Sequence, residues 1–207
     1  MRCVAGVGAL ALVSTVALSG CSGSPRGDGR AVPTSAAAST SAGPSLSAQL
    51  LSVNELPTGW AVDSSENTAN ACNSHPLEAA PPAQEDHVYF ADAGGTPALQ
   101  EALATYRSSA VSAFHAVKTA LDKCTSFDST ANGETVHETQ GAMSFPAVGD
   151  QSAAYEASFT IQGIAASFDI VIARRGSVLV AVAEGDVGSV DVDQFQGFVN
   201  QALAKVV

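Results

Sequence analysis

The side chains that could do chemistry in this 207-residue chain are few and scattered. Its four histidines, His75, His87, His115 and His137, lack the close spacing that brings imidazoles onto one metal ion. Glu85-Asp86-His87 is the densest group. Neighbours on a strand point to opposite faces, so at most two of these three converge, and a solvated acidic loop accounts for them. Glu184, Asp186, Asp191 and Asp193 offer the oxygen donors that calcium takes, but the D-x-D-x-D-G order that gathers ligands on one loop is missing. Helix capping and a charged turn explain them without metal, and Gly149-Asp150 is a simple turn. Arg174-Arg175 could meet an anion, although a solvated hairpin tip is the plainer reading. No G-x-S-x-G, H-E-x-x-H, P-loop or dinucleotide fingerprint occurs. The expectation is a protein without catalytic activity, metal or cofactor.

The four cysteines divide by position. Met1 to Gly20 has the parts of an export signal: a basic start at Arg2, an uncharged apolar run from Val4 to Leu18, then small residues. As a helix that run would extend roughly 22 Å, short of the ~30 Å of hydrocarbon in a bilayer. It ends in Leu18-Ser19-Gly20-Cys21, which resembles the lipobox of bacterial lipoproteins. The Cys21 thiol would accept a diacylglyceryl group, and cleavage would leave it as an acylated first residue. Two fatty chains of the palmitate kind, at ~0.8 kcal/mol per buried methylene, suffice for stable anchoring. A plain secreted protein is the alternative. Cys3 would leave with the leader, so Cys72 and Cys124 remain, an even count in an oxidising compartment, and they are expected to pair. A buried free pair or a catalytic thiol stays open. No C-x-x-C motif points to redox chemistry.

Residues 21–45 are rich in Ser, Ala, Gly and Pro and can bury too little to order themselves, which predicts a flexible tether. Residues 46–207 are long enough for one domain with a real core. They hold every Asp and Glu except Asp28, 19 in all, but only six Lys and Arg, for a formal charge of −13. That surface repels nucleic acid and anionic headgroups. The membrane would be reached through the lipid on Cys21, at the extracytoplasmic face, by a domain expected to be monomeric.

Periodicity supplies the elements. Leu46, Leu50, Leu51 and Val53 suggest a short helix stopped by Leu56-Pro57-Thr58-Gly59. Thr96-Pro97 looks like a cap followed by a first-turn proline, and Leu99, Leu103, Tyr106, Ala110, Phe114, Val117 and Leu121 recur about every 3.7 residues, predicting one long helix ending at Cys124. A strand is expected around His87 to Phe90. Glu134 to Phe145, Ala153 to Gln162, Ser167 to Arg175 and Ser177 to Glu184 are strand-like segments separated by glycine-bearing turns. The last two are apolar nearly throughout, as strands covered on both faces are. A closing helix from Asp193 to Val206 would be capped by Asp191 or Asp193. The fold expected is α+β, an antiparallel sheet of about five or six strands with helices mainly on one face.

The order of these features resembles a known family. Leu50-Leu51 with Leu56-Pro57-Thr58-Gly59-Trp60, a first cysteine, an alanine-rich helix ending in Lys123-Cys124, Phe145-Pro146-Ala147-Val148-Gly149-Asp150-Gln151-Ser152-Ala153, and Ala173-Arg174-Arg175-Gly176 before a valine-rich strand are similar to PknH-like extracellular sensor domains of mycobacterial kinases and stand-alone actinobacterial lipoproteins. The resemblance spans about residues 46–207 and implies an antiparallel sheet with helices bordering a cleft. In this sequence the cleft would be lined by Trp60, Phe90 and Tyr106, although Trp60 after its turn reads first as a core anchor. The chain departs from the kinase in lacking kinase and membrane-spanning parts and in having one cysteine pair rather than two. It is therefore not expected to signal by itself, and the cleft lacks the second bridge's constraint. The expected function is a tethered, sensor-like domain that binds an unidentified envelope ligand or partner protein. The alternative is a carrier of lipid or another hydrophobic ligand.

Overall fold

The computed structural model describes residues 44–64, 72, 76–131 and 134–207, excepting the side chains of 129–131 and 134. The leader, Cys21, the tether as far as Gly43, and His75 lie outside the described residues. Single turns of 3-10 helix at Leu46–Gln49 and Val53–Glu55 lead into β1 (Ala61–Val62), and a third, Pro76–Ala79, precedes β2 (Gln84–Ala91) and β3 (Ala98–Thr105). Then come α1 (Ala110–Lys123), β4 (Ser126–Ala131), β5 (Glu134–Ala142), β6 (Gln151–Ile161), β7 (Ile164–Arg175), β8 (Val178–Val187) and α2 (Val192–Lys205). The strands form one antiparallel sheet in the order β1-β2-β3-β8-β7-β6-β5-β4. The α+β antiparallel class stands, with eight strands among the described residues instead of five or six.

The long helix expected from Thr96 is half strand. Thr96-Pro97 leads into β3, which hydrogen-bonds to both β2 and β8, and α1 begins only after its cap Ser109, whose hydroxyl accepts from the Val111 N–H at 3.2 Å. Leu99 and Leu103 fit a four-residue helical step, yet they also sit two alternations apart on one face of a strand. Ala102 and Ala104 face the other way and enter the opposite core. A segment that must be buried on both faces loses its alternating signature, and its alanines then look helical.

Two cores sandwich the sheet. Val178, Val180 and Val182 of β8 pack with Phe195, Phe198, Val199 and Leu203 of α2. Leu179 and Ala181, pointing the other way, pack with Phe114, Val117 and Leu121 of α1. The helices therefore cover opposite faces, which corrects the expectation of one helical layer. Strands apolar on both sides present two surfaces to water, and one layer would leave the second bare. Asp191 caps α2, its carboxylate accepting from Asp193 and Gln194 at 3.0 and 3.1 Å. Gly176 takes φ +59° in the β7–β8 turn, where a Cβ would be strained. Cys72 and Cys124 form a disulfide, their Cα atoms 5.8 Å apart, fastening the chain at Cys72 to the end of α1. Closing a separation of 52 residues stabilises by about 4 kcal/mol in the chain-entropy picture.

Candidate functional site

The aromatic residues proposed to line a cleft do not meet in one wall. Trp60, 8% exposed, packs edge-on against Phe198 of α2 with ring centroids 5.5 Å apart. Phe90 is 1% exposed in the same core. Tyr106 borders the α1 core, and its hydroxyl donates to the Leu77 carbonyl at 3.0 Å. The first two fill the domain beneath α2, and the third belongs to the other face.

The α2 face has two characters. Under the helix β3, β8 and β7 present Leu99, Leu103, Val171, Ala173 and the valines of β8. Farther along the same face, by register, come Glu156, Ser158 and Thr160 of β6, Ser167 of β7, and His137 and Thr139 of β5. These six line an open concavity of about 530 Å³ that also touches Gly188, on the connection to α2. Strand alternation builds this shelf, since the alternate residues of the same strands, such as Tyr155 and Ala157, are buried on the α1 face. Its groups are partly engaged with each other: the Thr139 hydroxyl lies 3.2 Å from that of Ser158, and His137 Nδ1 lies 2.9 Å from Asp128 in an exposed pair.

Beside the shelf the sheet holds a row of carboxylates that the sequence reading did not bring together, Glu184 having been weighed only with Asp186, Asp191 and Asp193. Glu184 of β8 stands opposite Asp169 of β7, and Asp169 opposite Glu156 of β6. Glu184 is 1% and Asp169 4% exposed. Burial, and then the charges of Asp186, Asp191 and Asp169, push the Glu184 carboxyl up to about 7 against an opposing hydrogen bond from Gln194. Burial and Glu156 lift Asp169 to about 6. Glu101, fully buried on β3, accepts from the Leu51 N–H at 2.6 Å and is also raised, mainly by burial, to about 7. An acidic residue inside an apolar strand, as in Phe168-Asp169-Ile170, was the available signal.

The other singled-out residues have structural work. Arg174 bonds Asp150 at 2.8 Å and Gln151 at 2.9 Å, and Arg175 donates to the Leu203 carbonyl at the end of α2. Asp86 accepts from the backbone N–H of His87, while His87 stacks edge-on with Tyr89. His115 is exposed on α1. Among the described residues, no three acidic, His or Cys side chains stand close enough to hold a metal ion, and no helix is long and apolar enough to cross a membrane.

No family model matches the sequence, and no curated protein matches it. Among solved structures, the chain is similar to the crystal structure of the extracellular domain of PknH from Mycobacterium tuberculosis. The TM-score is 0.53 at 10% identity, over 76% of this chain and 94% of that one. This likeness is one of fold.

Proposed function

We propose that this chain is a lipid-anchored extracytoplasmic module, without catalytic activity, whose uncovered sheet face binds an envelope component or partner protein in the manner of a sensor domain. The observation that carries the reading is the shelf itself. A sheet half covered by α2 continues as an open, polar concavity of about 530 Å³. Ligand sites favour such concave places with a few oriented polar groups. The likeness of fold to an extracellular domain and the disulfide support an oxidising compartment. Attachment through Cys21 rests on the sequence motif.

Two measurements test this. Titrating isotope-labelled protein with soluble cell-wall and glycan fragments should shift amide signals of β5, β6 and β7 around Thr139, Ser158 and Ser167, and Ser158→Trp should abolish the shifts. Shifts gathered elsewhere, or none with any fragment, overturn the shelf as the site. For the anchor, Cys21→Ala should leave the protein unprocessed or released in detergent phase partition; unchanged membrane retention removes the lipid from the account.

The carrier alternative calls for an apolar cavity between sheet and helix, and on the α1 side one small space of that kind is present. The space bordered by Pro76, Gln100, Ile170, Ala181 and Ala183 amounts to about 10 Å³, scarcely a water's worth.

A further inference from the structure

A neutral ligand shelf has no use for three acids in a row. Glu184, Asp169 and Glu156 occupy directly opposed positions on β8, β7 and β6, with Gly141 of β5 next in line. Opposed Cβ atoms lie about 4.5–5.5 Å apart, and like charges so placed destabilise a sheet. Glu184 Oε1 accepts from Gln194 at 3.3 Å, but its buried Oε2 has no partner. Among the described residues no hydrogen-bond donor reaches Asp169, buried and directly opposite. Among the described residues no cation acts on either carboxyl: Lys118, Arg174 and Lys205 pair with Asp122, Asp150 and Glu55, and Arg175 is held by a carbonyl. The row also opens outward. Glu156 is exposed in the concavity, and a Cβ added at Gly141 would meet nothing within 4 Å.

We propose that this row is the subsite for an alkylammonium group, as borne by a polyamine or an amino sugar, received between Glu156 and Asp169 beside Gly141 with Glu184 as the buried counter-charge. The proposal rests on the shelf being a ligand site and names the charge of what it takes. An ammonium group offers three donors and tolerates acceptors on separate strands, whereas a divalent cation requires oxygens converging to about 2.0–2.6 Å. The described carboxylates do not converge in that way. Anions are repelled by the whole row, and an uncharged ligand would leave the buried carboxylates unanswered.

Proton linkage follows from the surroundings. Glu184 faces Asp169 from β7, Asp186 on its own strand, and Asp191 with Gln194 from α2. Asp169 faces Glu156 from β6, and His137 with Asp128 stands farther along β5 and β4. Apart from His137, every titratable group in this set is acidic, so an arriving cation favours the deprotonated row and releases protons.

Isothermal titration of the full-length chain with spermidine, with glucosamine and with calcium chloride, at fixed physiological ionic strength and at pH 5 and pH 7.5, tests the assignment. Spermidine, glucosamine or both should bind at a single site, more tightly at pH 7.5, with heats that depend on the buffer's ionisation enthalpy. E156Q and D169N should each weaken binding by about tenfold or more. G141L, which fills the open end without touching a charge, should weaken it too, while E78Q on the exposed Pro76–Ala79 turn should not. Circular dichroism melts confirm that each variant is folded. Equal affinity in all variants would mean general attraction to an acidic protein and overturns the subsite, as does binding of calcium alone or of no probe. Should cell-wall fragments still bind the shelf with E156Q and D169N unaffected, the binding reading survives and the ammonium assignment falls.

Discussion

A carboxylate buried in a core must be paired, protonated or costly, and Glu101 is the clearest instance in this domain. One oxygen accepts from the Leu51 N–H and the other has no partner, in a side chain with no exposure at all. Its raised pKa follows from desolvation, which the Leu51 hydrogen bond and Lys205 only partly oppose. Glu101→Gln keeps the shape and an acceptor for Leu51 while removing the charge, so it should leave stability unchanged or improved at pH 8. Glu101→Ala removes the tie to the entering chain and leaves a void, and should cost about 2–4 kcal/mol in urea unfolding. Equal losses in both variants would show that the charge itself is stabilising. The sequence hid this role because Glu101, between leucines at 99 and 103, takes the outward position of an amphipathic helix. Trp60 was legible as a core anchor. Asp169, Glu156 and Glu184 were not legible as a row, because cross-strand register brings together positions that the sequence separates.

At the scale of elements, legibility followed the number of faces an element buries. Strand β6, with one side wet, alternates Tyr155, Ala157 and Phe159 against Glu156, Ser158 and Thr160 and could be read directly. The end of α1 and the whole of α2 were legible from their apolar stripes, and the capping role of Asp191 from its carboxylate. Strand β3, buried on both sides, imitated a helix, and β1 with two residues is too short for any period to show. The placement of α1 and α2 on opposite faces could have been inferred from the double apolar runs of β7 and β8. A smaller packing constraint lies at Gly185, opposite Phe168 in the β7–β8 register. A Cβ there would come within van der Waals overlap of the Phe168 ring, which stacks on Phe159 with centroids 5.7 Å apart. Gly185→Val should therefore displace that ring and lose about 1–3 kcal/mol, seen as a lower thermal midpoint. A midpoint equal to the parent's would mean that the ring has room to move aside.

For the whole molecule, the buried acids set how stability responds to pH, and the direction is opposite to that of most proteins. Glu101, Glu184 and Asp169 have folded-state pKa values raised to about 7, 7 and 6, above the ordinary carboxylate range of an unfolded chain. Between about pH 4.5 and pH 7 the native state thus binds more protons than the unfolded state, and stability falls as pH rises. Their contribution is fully present below the unfolded pKa and is lost as pH climbs through the folded values. Glu55 and Asp122 shift downward through their hydrogen bonds with Lys205 and Lys118, which works the other way, but both are exposed and screened. The domain's net charge of −13 adds to the fall at high pH through self-repulsion. For a domain of this size 1 kcal/mol moves the midpoint by about 2–4 °C, so melting at pH 5 should exceed that at pH 8 by at least about 5 °C. The triple variant E101Q/D169N/E184Q should flatten the profile, because amides do not titrate, and raised salt should leave most of the slope, because the three acids are at most 4% exposed and buried charges are screened much less than surface ones. A parent midpoint that is level or rises from pH 5 to pH 8 would mean that these carboxylates are hydrated in the folded chain, and a slope removed by salt alone would assign it to the surface.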